Sequence, residues 1–218
     1  SGTAITPDYF KRSARELPLQ PTLIAIVAAG IRSRLYVAPT EEHEQLALSA
    51  KPAWKPETSL PDDPRNFWTV DYGLTTFGDL FTDRQLVALN TFSDLVQEAR
   101  TQIEADALAA GLSADPTPLR DDGRGAKAYA EAVSVYLAFA IDRLADAGSS
   151  IATWASGGFI RFTFARQAIP MTWDFAECNF FSDSTGNFLG AIDWISKALS
   201  ALQPTTQAFI DQQNAQDV

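Results

Sequence analysis

Residues 82–111, TDRQLVALNTFSDLVQEARTQIEADALAAG, decide the fold. Leu86, Leu89, Phe92, Val96, Ala99 and Ile103 recur at three- and four-residue intervals, the period that lines one face of an α-helix. Thr82 stands where an N-cap belongs and Gly111 where the stripe ends, so a long helix with one buried face is predicted. A second stripe, Tyr129, Val133, Tyr136, Ala140, Ile141 and Leu144, stops at Gly148. A third, Phe188, Ile192, Ile195, Leu199 and Leu202, lies between Gly186 and Pro204. Amphipathic helices of this kind close a core most readily against one another. The predicted class is therefore mainly α, an α+β fold built on a bundle of long helices.

The sequence on the N-terminal side of this body reads differently. Residues 7–16 suit a short amphipathic helix, and residues 22–27 and 33–37, flanking Gly30, suggest a small β-hairpin. Pro39 and Thr40 followed by Glu41, Glu42 and Glu44 mark a helix start, the acidic side chains lying near the positive end of the helix dipole. Pro52, Pro56, Pro61 and Pro64 then predict an extended connection. The expected organisation is a small α/β unit at 1–50, a Pro-rich connection at 51–71 and a helical body at 72–218. Within the body, residues 151–187 lack a clean period and hold Trp154, Phe159, Phe162, Phe164, Trp173, Phe175, Phe180 and Phe181. That aromatic density predicts irregular backbone or short helices packed over the bundle.

Composition narrows the function classes. With 218 residues and 46% hydrophobic content, the chain has ample material for a packed core. No apolar run approaches the roughly 20 residues that span a bilayer, so a cytoplasmic protein with no membrane partner is expected. Ser1 and Gly2 read as the remnant of a cleaved tag. Cys178 and His43 are the single cysteine and histidine, which excludes an internal disulfide and a Cys- or His-rich zinc site within one copy. The net charge of −10 is the reverse of a general DNA-binding footprint, because nonspecific affinity comes from Lys and Arg releasing phosphate counterions. Weak or no binding of DNA by the segment alone is expected.

Three blocks carry a resemblance: YGLTTFGDLFTDRQLVALNTFSDLV at 72–96, LYVAPTEEHE at 35–44 and FARQAIPMTWDFAECNFFSDSTGNFLGAIDW at 164–194. Together they resemble the central region of large bacterial adenine-specific DNA methylases that carry a zinc ribbon and an N-terminal domain of unknown function. The resemblance spans residues 24–199. It implies a parent protein that transfers a methyl group from S-adenosylmethionine to the exocyclic amine of adenine after the base leaves the duplex. In that family the glycine-rich cofactor motif lies upstream of this region and the catalytic DPPY-type motif downstream. The resemblance therefore implies an internal, non-catalytic segment, with S-adenosylmethionine and zinc belonging to the parent. Its partners would be the rest of the methylase polypeptide, and DNA through the parent. An alternative is a protein–protein interaction module of a restriction or phage-defence system.

The residues themselves offer a short set of candidates. Arg161 and Arg166 have no acidic residue between them and mark where a local basic patch can form; the simpler reading is surface arginines in salt bridges. Trp173 lies in the aromatic stretch and is a candidate contact for DNA or a docking partner. Asp174 and Glu177 would share a face if WDFAE were helical, and paired carboxylates can hold a metal or do acid–base work; pairing with Arg161 or Arg166 is the commoner outcome. Asn179 with Phe180 and Phe181 invites comparison with the (D/N)PP(Y/F) motif of amino-methyltransferases, but both prolines that fix its turn are missing. No residue is assigned to catalysis, to the cofactor or to a metal. The DDGRG stretch at 121–125 lacks the lysine of a phosphate loop, and its glycines more simply shape a turn.

Overall fold

The computed structural model describes residues 4–17 and 19–202. Ser1, Gly2 and Pro204, read above as a tag remnant and a helix stop, lie outside the described residues. The fold is mainly α with a small N-terminal β-hairpin, as the sequence predicts, and a second short hairpin lies within 151–187, where the sequence predicts irregular backbone or short helices. Its helices are α1 (Pro7–Glu16), α2 (Glu41–Leu48), α3 (Asp83–Ala109), α4 (Ala126–Ala147) and α5 (Phe188–Ala201). Strands β1 (Ile26–Ala29) and β2 (Arg34–Val37) form one hairpin, and β3 (Thr153–Trp154) and β4 (Ile160–Arg161) a second, shorter one.

Local chemistry explains where α3 begins. The Thr82 hydroxyl accepts from the Gln85 N–H, and the Gln85 side-chain oxygen accepts from the Thr82 N–H, a reciprocal capping box. Leu86, Phe92 and Val96 of the predicted stripe are buried, and Leu89 packs partly buried against the Phe92 cluster. α4 runs along α3, cross-linked by Arg100 Nη2 on Glu131 Oε1 at 2.5 Å, while Glu131 Oε2 accepts from the Leu119 N–H. Its buried face matches the predicted stripe at Ala140 and Leu144, with Ile141 partly buried beside them, but not at the tyrosines. Tyr129 and Tyr136 are 52% and 39% exposed, and the buried positions are Ala126, Ala128, Ala130, Ala140, Leu144 and Ala147. Small side chains let neighbouring elements approach α4 closely, Leu144 and Ile141 enter the core beside them, and Tyr129, Tyr136 and Phe139 are left outside.

α5 packs on α4, but only its Ala191 is buried; Leu189, Trp194 and Leu199 are exposed. An apolar groove of about 440 Å³ runs between the two helices, lined by Val133, Tyr136, Ile192, Ile195 and Leu199.

Residues 51–71 are largely extended yet enter the core. Leu60 joins Leu80, Ile151 and Ile169 in one buried cluster. The Leu60 N–H donates to the Thr75 carbonyl, Phe77 N–H to Thr58 and Gly78 N–H to Pro56, which tie this stretch to the turn before α3. α1 is held to the 310 turn at Trp68–Tyr72 by Asp71, which takes Lys11 Nζ and Arg15 Nη2, each at 2.6 Å.

Candidate functional site

The aromatic-rich stretch 151–187 is irregular apart from the β3–β4 hairpin, and its middle is pinned from two sides. On one side the Thr163 N–H and hydroxyl both donate to the Asp146 carbonyl at the end of α4, at 2.9 and 2.7 Å, and the Phe164 N–H donates to the Asp146 carboxylate. On the other side the Ile169 N–H donates to Asn66 and the Trp68 N–H to Ile169. Between β3 and β4 the chain turns through Gly158 at φ +77°, a left-handed conformation that glycine adopts without strain. Its N–H donates to the Ala155 carbonyl.

These constraints shape a half-open pocket of about 410 Å³. The β3–β4 register pairs Thr153 with Arg161, which places both side chains on one face of the hairpin. Both line the pocket, together with Phe159, Phe162, Arg166 and Thr185, and no carboxylate is among the lining residues. The hydroxyls of Thr163 and Thr172 are committed to the Asp146 and Ile151 carbonyls. Those of Thr153 and Thr185 have no protein partner among the described residues. Neither Arg161 nor Arg166 is in a salt bridge among the described residues, unlike the reading that placed them in surface ion pairs.

Two more arginines border the same region without a carboxylate partner among the described residues. The Arg34 guanidinium sits 5.2 Å from the Trp154 ring centre, and Trp154 Nε1 donates to the Tyr36 hydroxyl, joining the β1–β2 hairpin to this segment. Arg143 lies between the rings of Phe162 and Trp194, at 5.9 and 5.6 Å. A chain of net charge −10 thus gathers four arginines around one hairpin. The Asp146 carboxylate in this region already accepts from the Phe164 N–H.

The other candidates lie elsewhere. Trp173 packs against Phe10 of α1 and edge-on against Tyr72, with ring centres 5.4 and 5.0 Å away, so much of it serves an internal contact although it is 55% exposed. WDFAE is not helical, and the shared face expected of Asp174 and Glu177 does not form. Glu177 pairs with Arg84 at 2.8 Å rather than with Arg161 or Arg166. Burial raises the Glu177 carboxyl above its ordinary range, and Arg84 opposes that shift. Asn179 shapes a turn: its side-chain oxygen accepts from the Phe181 N–H, and its carbonyl from Ser182. Burial pushes the Cys178 thiol up to about 12, with Glu177 adding to the shift, which leaves no nucleophilic thiolate near neutrality. Among the described residues no group of three Asp, Glu, His or Cys side chains is placed to hold a metal ion, and no helix is long and apolar enough to cross a membrane.

Sequence reasoning reached Arg161 and Arg166 but passed over Thr153, Phe159, Phe162 and Thr185 as site residues. Their shared signal is faint, since Thr185 lies far along the chain from the hairpin. The chain matches no protein-family model, no curated protein and no solved structure.

Proposed function

We infer that the chain is an internal, non-catalytic segment of an S-adenosylmethionine-dependent DNA adenine N6-methyltransferase, and that it helps to position the target strand. The observation that carries this reading is the pocket in which Arg161 and Arg166, without a salt bridge among the described residues, stand beside Phe159 and Phe162 with no lining carboxylate. Guanidinium groups and aromatic rings are the side chains that meet phosphates and unstacked bases. The resemblance of the three sequence blocks supplies the methylase context. S-adenosylmethionine and zinc would be bound by the parent outside this segment, and DNA would be reached through the parent.

Reading the gene on both sides of residues 1–218 tests the assignment. A glycine-rich cofactor motif and paired CxxC motifs upstream, with a DPPY-type motif soon downstream, are expected. A stop codon shortly after Val218 with no upstream motif would overturn it.

A second reading, an interaction module of a restriction or phage-defence system, is favoured by a different observation. The groove between α4 and α5 is apolar, and Leu189, Trp194 and Leu199 stand exposed beside it. Under this reading the exposed apolar surface of α5, rather than the region around Trp173, carries the docking contact. Sedimentation velocity of the chain alone, with and without Leu199→Glu, tests this reading: self-association lost in the variant favours the module, and a monomer in both proteins counts against docking through this face.

A further inference from the structure

The pocket's chemistry goes further than a general contact with DNA. Its available polar groups are two guanidinium groups and two hydroxyls, Arg161, Arg166, Thr153 and Thr185, and its apolar walls include the Phe159 and Phe162 rings. A ligand that uses all of them has an anionic group with several acceptor oxygens, a planar body and polar edges. With a volume of about 410 Å³ the pocket lies in the range of small-ligand sites, at the scale of one nucleotide and far below that of a stacked duplex.

We propose that this pocket holds a single unpaired nucleotide of a DNA strand, its phosphate on Arg161 and Arg166 and its base against Phe159 and Phe162. Thr153 and Thr185 meet the polar edge of the base or the sugar. The inference rests on the reading that this segment meets DNA, and names the form of DNA it takes. A base inside a duplex presents only its edges, so its face is closed to the phenyl rings, whereas an unpaired base presents the face on which stacking depends. The overall charge of −10 points the same way. An acidic surface repels the extended phosphate array of a duplex, while a local arginine pair tolerates one or two phosphates of a strand entering the pocket.

The test is fluorescence anisotropy with the 218-residue chain and a labelled mixed-sequence single-stranded oligonucleotide at low salt. The same strand annealed into a duplex, adenosine monophosphate and inorganic phosphate are run in parallel. The strand is expected to bind about tenfold or more tighter than the duplex. Arg161→Ala with Arg166→Ala should weaken strand binding by about tenfold or more, on the scale of two lost charge-assisted contacts. Both arginines are exposed, so the fold should survive, which circular dichroism checks. Phe159→Leu, which keeps apolar bulk but removes the ring, should weaken the strand and leave any phosphate binding unchanged.

Equal affinity for strand and duplex would overturn the inference. So would binding of adenosine monophosphate without binding of the strand, which would assign the site to free nucleotides. Strand binding indifferent to the double substitution would overturn the pocket while leaving the segment a DNA contact elsewhere. Absence of binding to every probe would remove the direct-contact reading as well and leave the segment a scaffold.

Discussion

The Phe180 ring occupies the space that a side chain on Gly148 would need. A Cβ at Gly148 would lie 2.7 Å from Phe180 Cζ and 2.9 Å from Cε1, and 2.9 Å from the Leu144 carbonyl oxygen. This approach joins the end of α4 to the cluster of Phe92, Leu144 and Phe180, where the aromatic segment meets the bundle. Phe180 also packs edge-on against Phe92, with ring centres 5.8 Å apart. Gly148→Ala should therefore destabilise by about 1–3 kcal/mol, the usual cost of overpacking a filled site. For a chain of this size that is a fall in Tm of about 2–4 °C per kcal/mol. Adding Phe180→Leu should recover part of the loss, and strict additivity of the two substitutions would show that the contact is not the cause.

Arg84 and Glu177 bind the start of α3 to the aromatic segment, and they predict a pH dependence. The Glu177 carboxyl is raised in the fold because burial outweighs the Arg84 charge. Its contribution to stability is then full at low pH and is lost as pH rises through the raised folded value. Glu177→Gln should accordingly gain stability relative to wild type as pH rises from about 4 to 8. Arg84→Ala should cost more at neutral pH than at pH about 4, because the arginine has a charged partner only above the folded value. Urea melts across this range check both, and a pH-independent difference for both variants would contradict the assignment.

Legibility from the sequence followed what local periodicity can carry. The α3 stripe through Leu86, Phe92 and Val96 gave helix and buried face together, because polar and charged residues fill most of its other positions, Leu95 and Leu108 apart. In α4 the same period found the helix and, at Ala140, Ile141 and Leu144, part of its buried face, but turned Tyr129 and Tyr136 inward. Alanines at 126, 130, 140 and 147 form the packed face there, and a helix apolar on several sides does not reveal which side is inside. The site was harder. Arg161 and Arg166 stood out for the lack of acids between them, but their joining with Thr185 depends on tertiary packing. The helical spacing drawn for Asp174 and Glu177 failed because Phe175 instead bridges to Thr153 in extended backbone.

Cys178 offers a probe of the core that needs no substitution. Its thiol, pushed up to about 12 chiefly by burial, should resist a disulfide reagent at pH about 8 and react fully once the chain is unfolded. Rapid stoichiometric labelling of the native protein would contradict the partial burial of Cys178 against Phe92, Leu144 and Phe180.

The central claim is that an acidic chain meets DNA through one arginine pair, and the salt dependence of single-strand binding tests it most directly. Each phosphate neutralised on a single strand contributes about −0.7 to the slope of log K against log salt, so two arginines account for about −1.4. The wild-type chain should show at least that slope, and Arg161→Ala with Arg166→Ala should flatten it by about 1.4. The same slope in both proteins, or no measurable binding by the wild type at low salt, would contradict the account.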